Sequence, residues 1–322
     1  MTIGTPILVG DIGGTNVRFG LASADENSPW SVDHFAKYPG DDFPKLEDAI
    51  ARYLGTIKST PKHMSLAVAG PVRDRAVTLT NRAWSVSENG LKARHNMDHV
   101  LLLNDFEAMA RSVPELPETD FQTVHSGQAM KEAPILVAGA GTGFGVAYLL
   151  RTKLGWKVLG SEGGHVAYAP RTQNEMAVHE ILTREYGFVS LELVSSGAGL
   201  KKVHQAVCER RGVTYVMLSP DVIREQAIEG CQLCMEICQL RSHAIMGALG
   251  DLALAGGTRG GIVLAGGVTE RMIDFLKAPD AMAAYLNRGS RTDYVRNIPI
   301  KMMTNPTAPL IGAAALYKDS QI

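Results

Sequence analysis

Residues 7–20 read ILVGDIGGTNVRFG. An apolar run ends in an acid, Asp11, turns through Gly13-Gly14-Thr15, and continues at once into a second alternating run. This pattern predicts an antiparallel hairpin with strands over 7–11 and 15–22. Glycine accepts positive φ and lets backbone N–H groups approach an anion where a Cβ would collide. The loop is not a Walker motif, because no GK[ST] follows. It is not a dinucleotide fingerprint either, because it leads into a strand rather than a helix. An acid ending the first strand suits Mg²⁺, held directly or through water, since that ion usually keeps several waters.

Two further segments repeat the strand and glycine turn: ILVAGAGTGFGVA at 135–147 and GIVLAGGV at 261–268. With a Thr in each of the first two turns, Thr15 and Thr142, the three loops imply a nucleotide gripped from two sides. A third strand is expected over 32–38, and further strands over 63–70, 75–80, 100–103, 144–151, 155–159 and 298–303. Phe43, Leu46, Ile50 and Leu54 fall at helical spacing, and a long helical region is expected over 173–186, 197–210, 219–228 and 230–255, with another helix near 268–276. The proline-rich PELPE at 114–118 marks a domain boundary. The expected division is a small α/β domain over 1–113, completed by a C-terminal helix within 304–322, and a large α/β domain over 114–303. A duplicated α/β architecture places its ligand in the cleft between halves.

Three groups of polar residues carry candidate chemistry. Asn104-Asp105 follows the apolar VLLL and opens a helix, so Asp105 sits at a strand end near a helix N-terminus, where a negative charge is favoured. A carboxylate there either caps the helix or accepts a hydroxyl proton during attack on phosphorus. SEGGH at 161–165 sets Glu162 and His165 either side of two glycines, and Glu192 comes later in VSLELVSSG. Carboxylates and an imidazole suit a polyhydroxylated ligand, because a buried polar group left unpaired rejects analogues that lack a hydroxyl. The spacing matches no zinc pattern. Cys231, Cys234 and Cys238 fall on one helical face, the pattern of a packed core stripe or of a soft metal site.

Composition narrows the classes. The chain has 322 residues, 45% of them hydrophobic, enough for one large or two medium domains. A net charge of −1 with no basic patch offers nothing to nucleic acid. No apolar run approaches the ~20 residues that span a bilayer. No charged segment precedes an apolar one at the N-terminus, so no signal peptide is expected. The four clustered cysteines suit a reducing cytosol.

Taken together, the motifs resemble those of the bacterial glucokinases, the hexokinase-like group of the actin/Hsp70/sugar-kinase superfamily, over nearly the whole chain. DIGGTN resembles the first phosphate motif, GAGTGFGVA the second and LAGG the adenosine motif. LTNRAWSV, LLNDFEA and SEGGHVAYAP resemble the sugar-site segments in the same order. The resemblance implies an α/β, two-domain actin-like ATPase (ribonuclease H-like) fold with a central interdomain cleft. It implies ATP- and Mg²⁺-dependent phosphorylation of D-glucose at the 6-hydroxyl, the first step of glycolysis. Asp105 would be the general base. Asn104, Glu162, His165 and Glu192 would bind sugar hydroxyls, with Asn81 and Gly70 beside them. Gly10, Asp11, Ile12, Gly13, Gly14, Thr15, Asn16, Gly141, Thr142 and Gly143 would surround the phosphates, Asp11 would orient Mg²⁺, and Gly266 and Gly267 would approach the adenosine. Members are usually cytoplasmic homodimers. Leu193 stands where the family often has a basic residue, and the cysteine-rich zinc motif of related sugar kinases is missing, which implies a zinc-free branch. Two other classes share the loops. A sugar-sensing repressor would need a DNA-binding segment ahead of a first strand that begins near residue 7, and an actin- or chaperone-like ATPase would need no EGGH cluster.

Overall fold

A computed structural model describes residues 3–24, 29–79 and 82–321. Contacts divide the chain into two compact units, one of residues up to 120, 156–160 and from 305, the other of residues 121–155 and 161–304.

The first unit is built on a five-stranded sheet in the order β3-β2-β1-β4-β7, with β1 at Ile3–Ile12, β2 at Asn16–Ala24, β3 at Ser31–Pro39, β4 at His63–Val68 and β7 at His99–Asn104. A small antiparallel pair, β5 (Ala76–Thr78) and β6 (Ser85–Ser87), lies between the last two in sequence. The hairpin β1–β2 pairs Asp11 with Arg18 and Ile12 with Val17. Strands β1, β4 and β7 are parallel. Successive side chains of a strand point to opposite faces, and β1 uses both. Leu8 and Ile12 enter a cluster with Leu46, Ile50 and Tyr53 of α1 (Leu46–Leu54), and with Leu91 of α2 (Glu88–His95). Ile7 and Val9 enter the opposite cluster, with Ala108 of α3 (Asp105–Ser112).

The second unit carries strands in the order β10-β9-β12-β13-β8, from β8 (Phe121–His125), β9 (Ile135–Ala140), β10 (Phe144–Thr152), β12 (Gly261–Leu264) and β13 (Ile300–Met303), while β11 (Gly155–Ser161) falls mostly within residues 156–160 of the first unit. Its helices are α4 (Gln173–Tyr186), α5 (Leu191–Ser195), α6 (Leu200–Arg211), α7 (Pro220–Ile228), α8 (Gln232–Gly256), α9 (Gly267–Arg271), α10 (Ile273–Leu276), α11 (Pro279–Leu286) and α12 (Thr292–Arg296). The long helix α8 supplies Ile237, Ile245 and Leu249 to one core. Cys234 and Cys238 belong to that core, as a packed stripe would, while Cys231 stands just outside the helix as its N-cap.

The last helix, α13 (Ala308–Asp319), packs on the first unit's sheet and on α3. Buried Ser65 of β4 donates from Oγ to the Ala313 carbonyl at 2.7 Å, and Arg111 of α3 donates to Asp319 at 2.7 Å and to Glu115 at 2.6 Å. The chain divides after Asp120 rather than at 113, because the proline-rich stretch is two 3-10 turns, not a linker, and Leu116 packs beside α13. A Cβ at Gly312 would lie 1.7 Å from the Ala108 carbonyl oxygen, so the crossing of α13 over α3 requires glycine. Gly312→Ala is therefore expected to lower the urea unfolding midpoint, by about 1–3 kcal/mol of stability. An unchanged midpoint would show that the two helices can part without loss.

Candidate active site

In the first unit, parallel pairing places Ile12, Val68 and Asn104 side by side at the carboxyl ends of three adjacent strands. Ala69 extends this edge by donating its N–H to the Ile12 carbonyl at 3.0 Å. Ligands of open α/β sheets bind outside these strand ends. Beyond Ile12 comes the glycine turn, where Gly13 N–H donates to the Asn16 carbonyl at 3.0 Å and exposed Thr15 marks the tip. Arg82 braces the turn. Its Nε donates to the Gly14 carbonyl at 2.8 Å, its guanidinium lies 5.1 Å from the Trp84 ring centroid, and Gly40 leaves it room. Within the sequence, Arg82 was visible only as a member of LTNRAWSV. Gly10 and Ile12 do not belong to the turn. Both lie inside β1, Ile12 is fully buried, and the space of a Gly10 Cβ is taken by Leu66 and Phe19. Asn81 lies outside the described residues.

Asp11 is buried and forms an ion pair with Arg18, its partner across the hairpin. Burial pushes its carboxyl above the usual range, and the guanidinium pulls it back. The sequence signal for Arg18 was hairpin register, since residues equally far from the turn face one another.

Two strands away from the turn, Asn104 caps α3, its Oδ1 accepting from Phe106 N at 2.9 Å and Glu107 N at 3.3 Å. Its Nδ2 donates to the Gly70 carbonyl at 3.3 Å, so those two residues meet, and Gly70 needs its φ of +143° to present that carbonyl. Asp105 comes next, its Oδ1 accepting from Phe106 N at 2.9 Å. With strands about 4.8 Å apart, Asp105 stands about 10 Å from the strand that carries the glycine turn. Glu107, one turn into α3, is raised by burial.

In the second unit the other two glycine loops lie against each other, because β9 and β12 are parallel neighbours. A Cβ at Gly139 would fall 1.8 Å from the Ala265 carbonyl oxygen. Gly266, at φ +92°, would meet the Ala140 carbonyl at 2.5 Å. Thr269, inside the short α9, accepts from Ala140 N at 2.7 Å. The turn Gly141-Thr142-Gly143 is held from outside, with Gly197 N donating to the Gly141 carbonyl at 2.9 Å and Ala198 N to the Thr142 carbonyl at 3.1 Å. Thr142 and Gly267 are exposed.

Glu162 and His165 bracket a one-turn 3-10 helix, with Glu162 Oε2 3.9 Å from His165 Nε2 and both side chains open to solvent. Gly163 and Gly164 seat this turn on β10, where a Gly164 Cβ would fall 2.0 Å from the Phe144 carbonyl. Glu192 reaches the same strand. Its Oε2 accepts from Phe144 N at 2.8 Å and fills the space a Gly143 side chain would need. The EGGH turn and Glu192 thus converge on the first residues of β10, beside the second glycine loop. Leu193 turns inward against the core. Among the described residues, no cluster of three or more His, Cys, Asp or Glu is arranged to hold a metal ion.

A sequence model of the Glucokinase family matches residues 8–320. The chain belongs to the glucokinase family. It is 38% identical to the glucokinase of Caulobacter sp. (strain K31), over 95% of this chain and 93% of that one. The glucokinase of an Antarctic psychrotroph superposes with a TM-score of 0.86 at 35% identity, covering 98% of this chain and 99% of its own. A glucokinase of Streptomyces griseus solved with glucose and AMPPNP shares the fold at a TM-score of 0.66 and 17% identity, with 97% and 98% covered. The chain is thus a sugar kinase, a phosphotransferase, on the two-domain α/β fold of actin-like ATPases.

Behind the EGGH turn of this glucokinase-family chain lies a buried polar network. Glu175 accepts from Tyr168 Oη at 2.9 Å and from Arg171 N at 2.8 Å, and His243 Nδ1 lies 3.0 Å from its Oε1. On its other side, His243 Nε2 lies 3.2 Å from Asp280 Oδ2, a charge contact. The bond to Glu175 raises His243 above its usual 6.5. Against the opposing effect of burial, bonds from His243, Arg171 and Tyr168 hold Glu175 below 4.5. A raised imidazolium contributes stability below its unfolded pKa and loses it as pH climbs through the folded one, whereas the lowered carboxyl contributes above its unfolded pKa and loses it as pH falls. Moving from about pH 6 to about pH 9 should therefore lower the urea midpoint of the wild type more than that of His243→Gln. Equal losses in both proteins would remove His243 from the pH response.

Proposed function

We propose that the protein transfers the γ-phosphoryl group of ATP to the 6-hydroxyl of D-glucose, yielding glucose 6-phosphate and ADP, as a cytoplasmic homodimer at the entry to glycolysis. The observation that carries this reading is Asp105 directly after β7, whose last residue Asn104 is in register, across Val68, with Ile12 just before the glycine turn. The Streptomyces relative, solved with glucose and AMPPNP, supports sugar and nucleotide as the pair of ligands.

In this reading Asp105 accepts the 6-hydroxyl proton as that oxygen attacks the γ-phosphorus, with the bond to Phe106 N fixing one carboxylate oxygen. Asn104, Gly70, Glu162, His165, Glu192 and Asn81 contact the sugar. Gly13, Gly14, Thr15, Asn16 and Gly141, Thr142, Gly143 hold phosphates through backbone donors and hydroxyls. Gly266 and Gly267 face the adenosine, while Gly10 and Ile12 serve by packing β1 beneath the turn. Most of the acceleration comes from positioning and charge stabilisation, since phosphoryl transfer leaves little covalent work to the protein. The reading requires that water, a competing nucleophile, be kept from the phosphorus.

The residues fit a magnesium ion carried in with the nucleotide. Mg²⁺ is usually held by one or two carboxylates plus waters and substrate phosphates, and Asp11 is one carboxylate at the end of β1, with Arg18 as its present counter-charge. Asp11 would hold the ion, which supplies neutralisation of phosphate charge when bound.

The test is ADP release from ATP, with and without glucose. Asp105→Asn should lower kcat about 10²–10⁴-fold with glucose affinity, measured by calorimetry, nearly unchanged. Glu162→Gln should instead raise the glucose KM by about tenfold or more. Glucose-independent ADP release would favour a plain ATPase, and glucose binding without turnover a sensor. Near-normal turnover in Asp105→Asn would remove that residue as the base.

A further inference from the structure

The cysteines take no part in the sugar chemistry, yet two of them stand in a reactive arrangement. Cys231-Gln232-Leu233-Cys234 opens α8, with Cys231 as N-cap at φ −63°, ψ 113° and Cys234 in the first turn. These are the two positions of a capping box, where the side chains at N-cap and N3 reach toward each other across the first turn. Residues three apart on a helix have Cβ atoms about 5–6 Å apart, and a disulfide needs about 3.5–4.5 Å. The two side chains already lie within hydrogen-bonding reach of each other, and a further approach of about an ångström closes the distance a disulfide needs. The two thiols differ in setting. Cys231 is partly exposed, while Cys234 is fully buried and its Sγ donates to Gln226 Oε1 at 3.3 Å. Arg211, whose Nη2 donates to the Gln232 carbonyl at 3.2 Å, brings a cation to the same helix end.

We propose that Cys231 and Cys234 are a redox-active pair, with Cys231 the attacking and Cys234 the resolving thiol toward small-molecule disulfides. The Cys231 thiolate attacks one sulfur of the disulfide, forming a mixed disulfide and expelling one thiolate. Cys234 then gives its proton to solvent and attacks the Cys231 sulfur, expelling the second thiolate and closing the Cys231–Cys234 bond. Two protein thiols are oxidised, and one small disulfide is reduced to two thiols. The electrostatics agree with these roles. Backbone N–H groups of the first turn and the Arg211 cation lower Cys231, and burial raises Cys234 to about 12 and Cys238 to about 11. Low-pKa, partly exposed cysteines in electropositive surroundings are the reactive ones, and buried apolar ones are inert.

The experiment treats the reduced full-length protein with glutathione disulfide, then alkylates it and maps the peptides by mass spectrometry. The wild type should lose two thiols as a Cys231–Cys234 link that dithiothreitol reverses. Cys234→Ser should stop at a stable glutathione adduct on Cys231, and Cys231→Ser should give neither product. Glucose-dependent ADP release should be unchanged in reduced Cys231→Ser, which reports that the variant is folded. Absence of any product, an adduct on Cys231 that never resolves in the wild type, or first reaction at Cys208 or Cys238 would each overturn the assignment.

Discussion

The register of β1, β4 and β7 fixes the placement of the candidate residues in the first unit. Main-chain pairing sets Ile12 against Val68 and Val68 against Asn104, so the segments leaving these strands emerge at the same edge. From β1 comes the glycine turn, from β4 comes Gly70, and from β7 comes Asp105. A slip of one residue would move a strand end by about 3.3 Å and turn its whole apolar set to the wrong face. β1 buries Ile7 and Val9 on one side and Leu8 and Ile12 on the other, so its register is held by the fit of each side chain to its own cluster. Packing that looks purely structural thereby sets the spacing between the glycine turn and the candidate base.

In the second unit the corresponding constraint is absence of side chain. Gly139 and Gly266 let the ends of β9 and β12 approach until backbone meets backbone, and Gly164 lets the EGGH turn do the same against β10. Any Cβ at these places would have to displace main chain, which cannot yield without breaking its own hydrogen bonds. Glu192 adds a charged tie to Phe144 N at the mouth of the second loop. The second glycine loop, the EGGH turn and Glu192 therefore all meet at the start of β10.

Much of this was legible in the sequence because it rests on period and punctuation. Alternation marked the hairpin, and α4 runs over the expected 173–186 because Thr172 caps its start and Gly187 ends it. The elements that escaped carried no such signal. In α2 only Leu91 supplies an apolar anchor, and α5, which bears Glu192, is a single short turn between a serine cap and Ser196. The helix expected near 268–276 is broken at Met272, whose backbone leaves helical geometry without proline or glycine to announce it. Gly10 has a packing reason that its motif does not announce, since a Cβ there would meet Leu66 on β4 and Phe19 on β2. Composition cannot distinguish a glycine that faces a ligand from one that faces a neighbour.

The placement of Asp105 also bears on how its carboxylate can act. Asn104 is the N-cap of α3 and accepts from both Phe106 N and Glu107 N, so most of the capping duty falls on the amide. Asp105 still accepts from Phe106 N, and it lies in the first turn, where the helix dipole favours its negative charge. A carboxylate is a weak base toward an alcohol, which would be a weakness in a reaction that begins with proton abstraction. Phosphoryl transfer does not begin there. Its loose transition state asks first for the attacking oxygen to be aligned, and the proton leaves as the new bond forms. In the proposed reaction a fixed, charged acceptor at a strand end would meet that demand, because it would orient the hydroxyl before taking the proton.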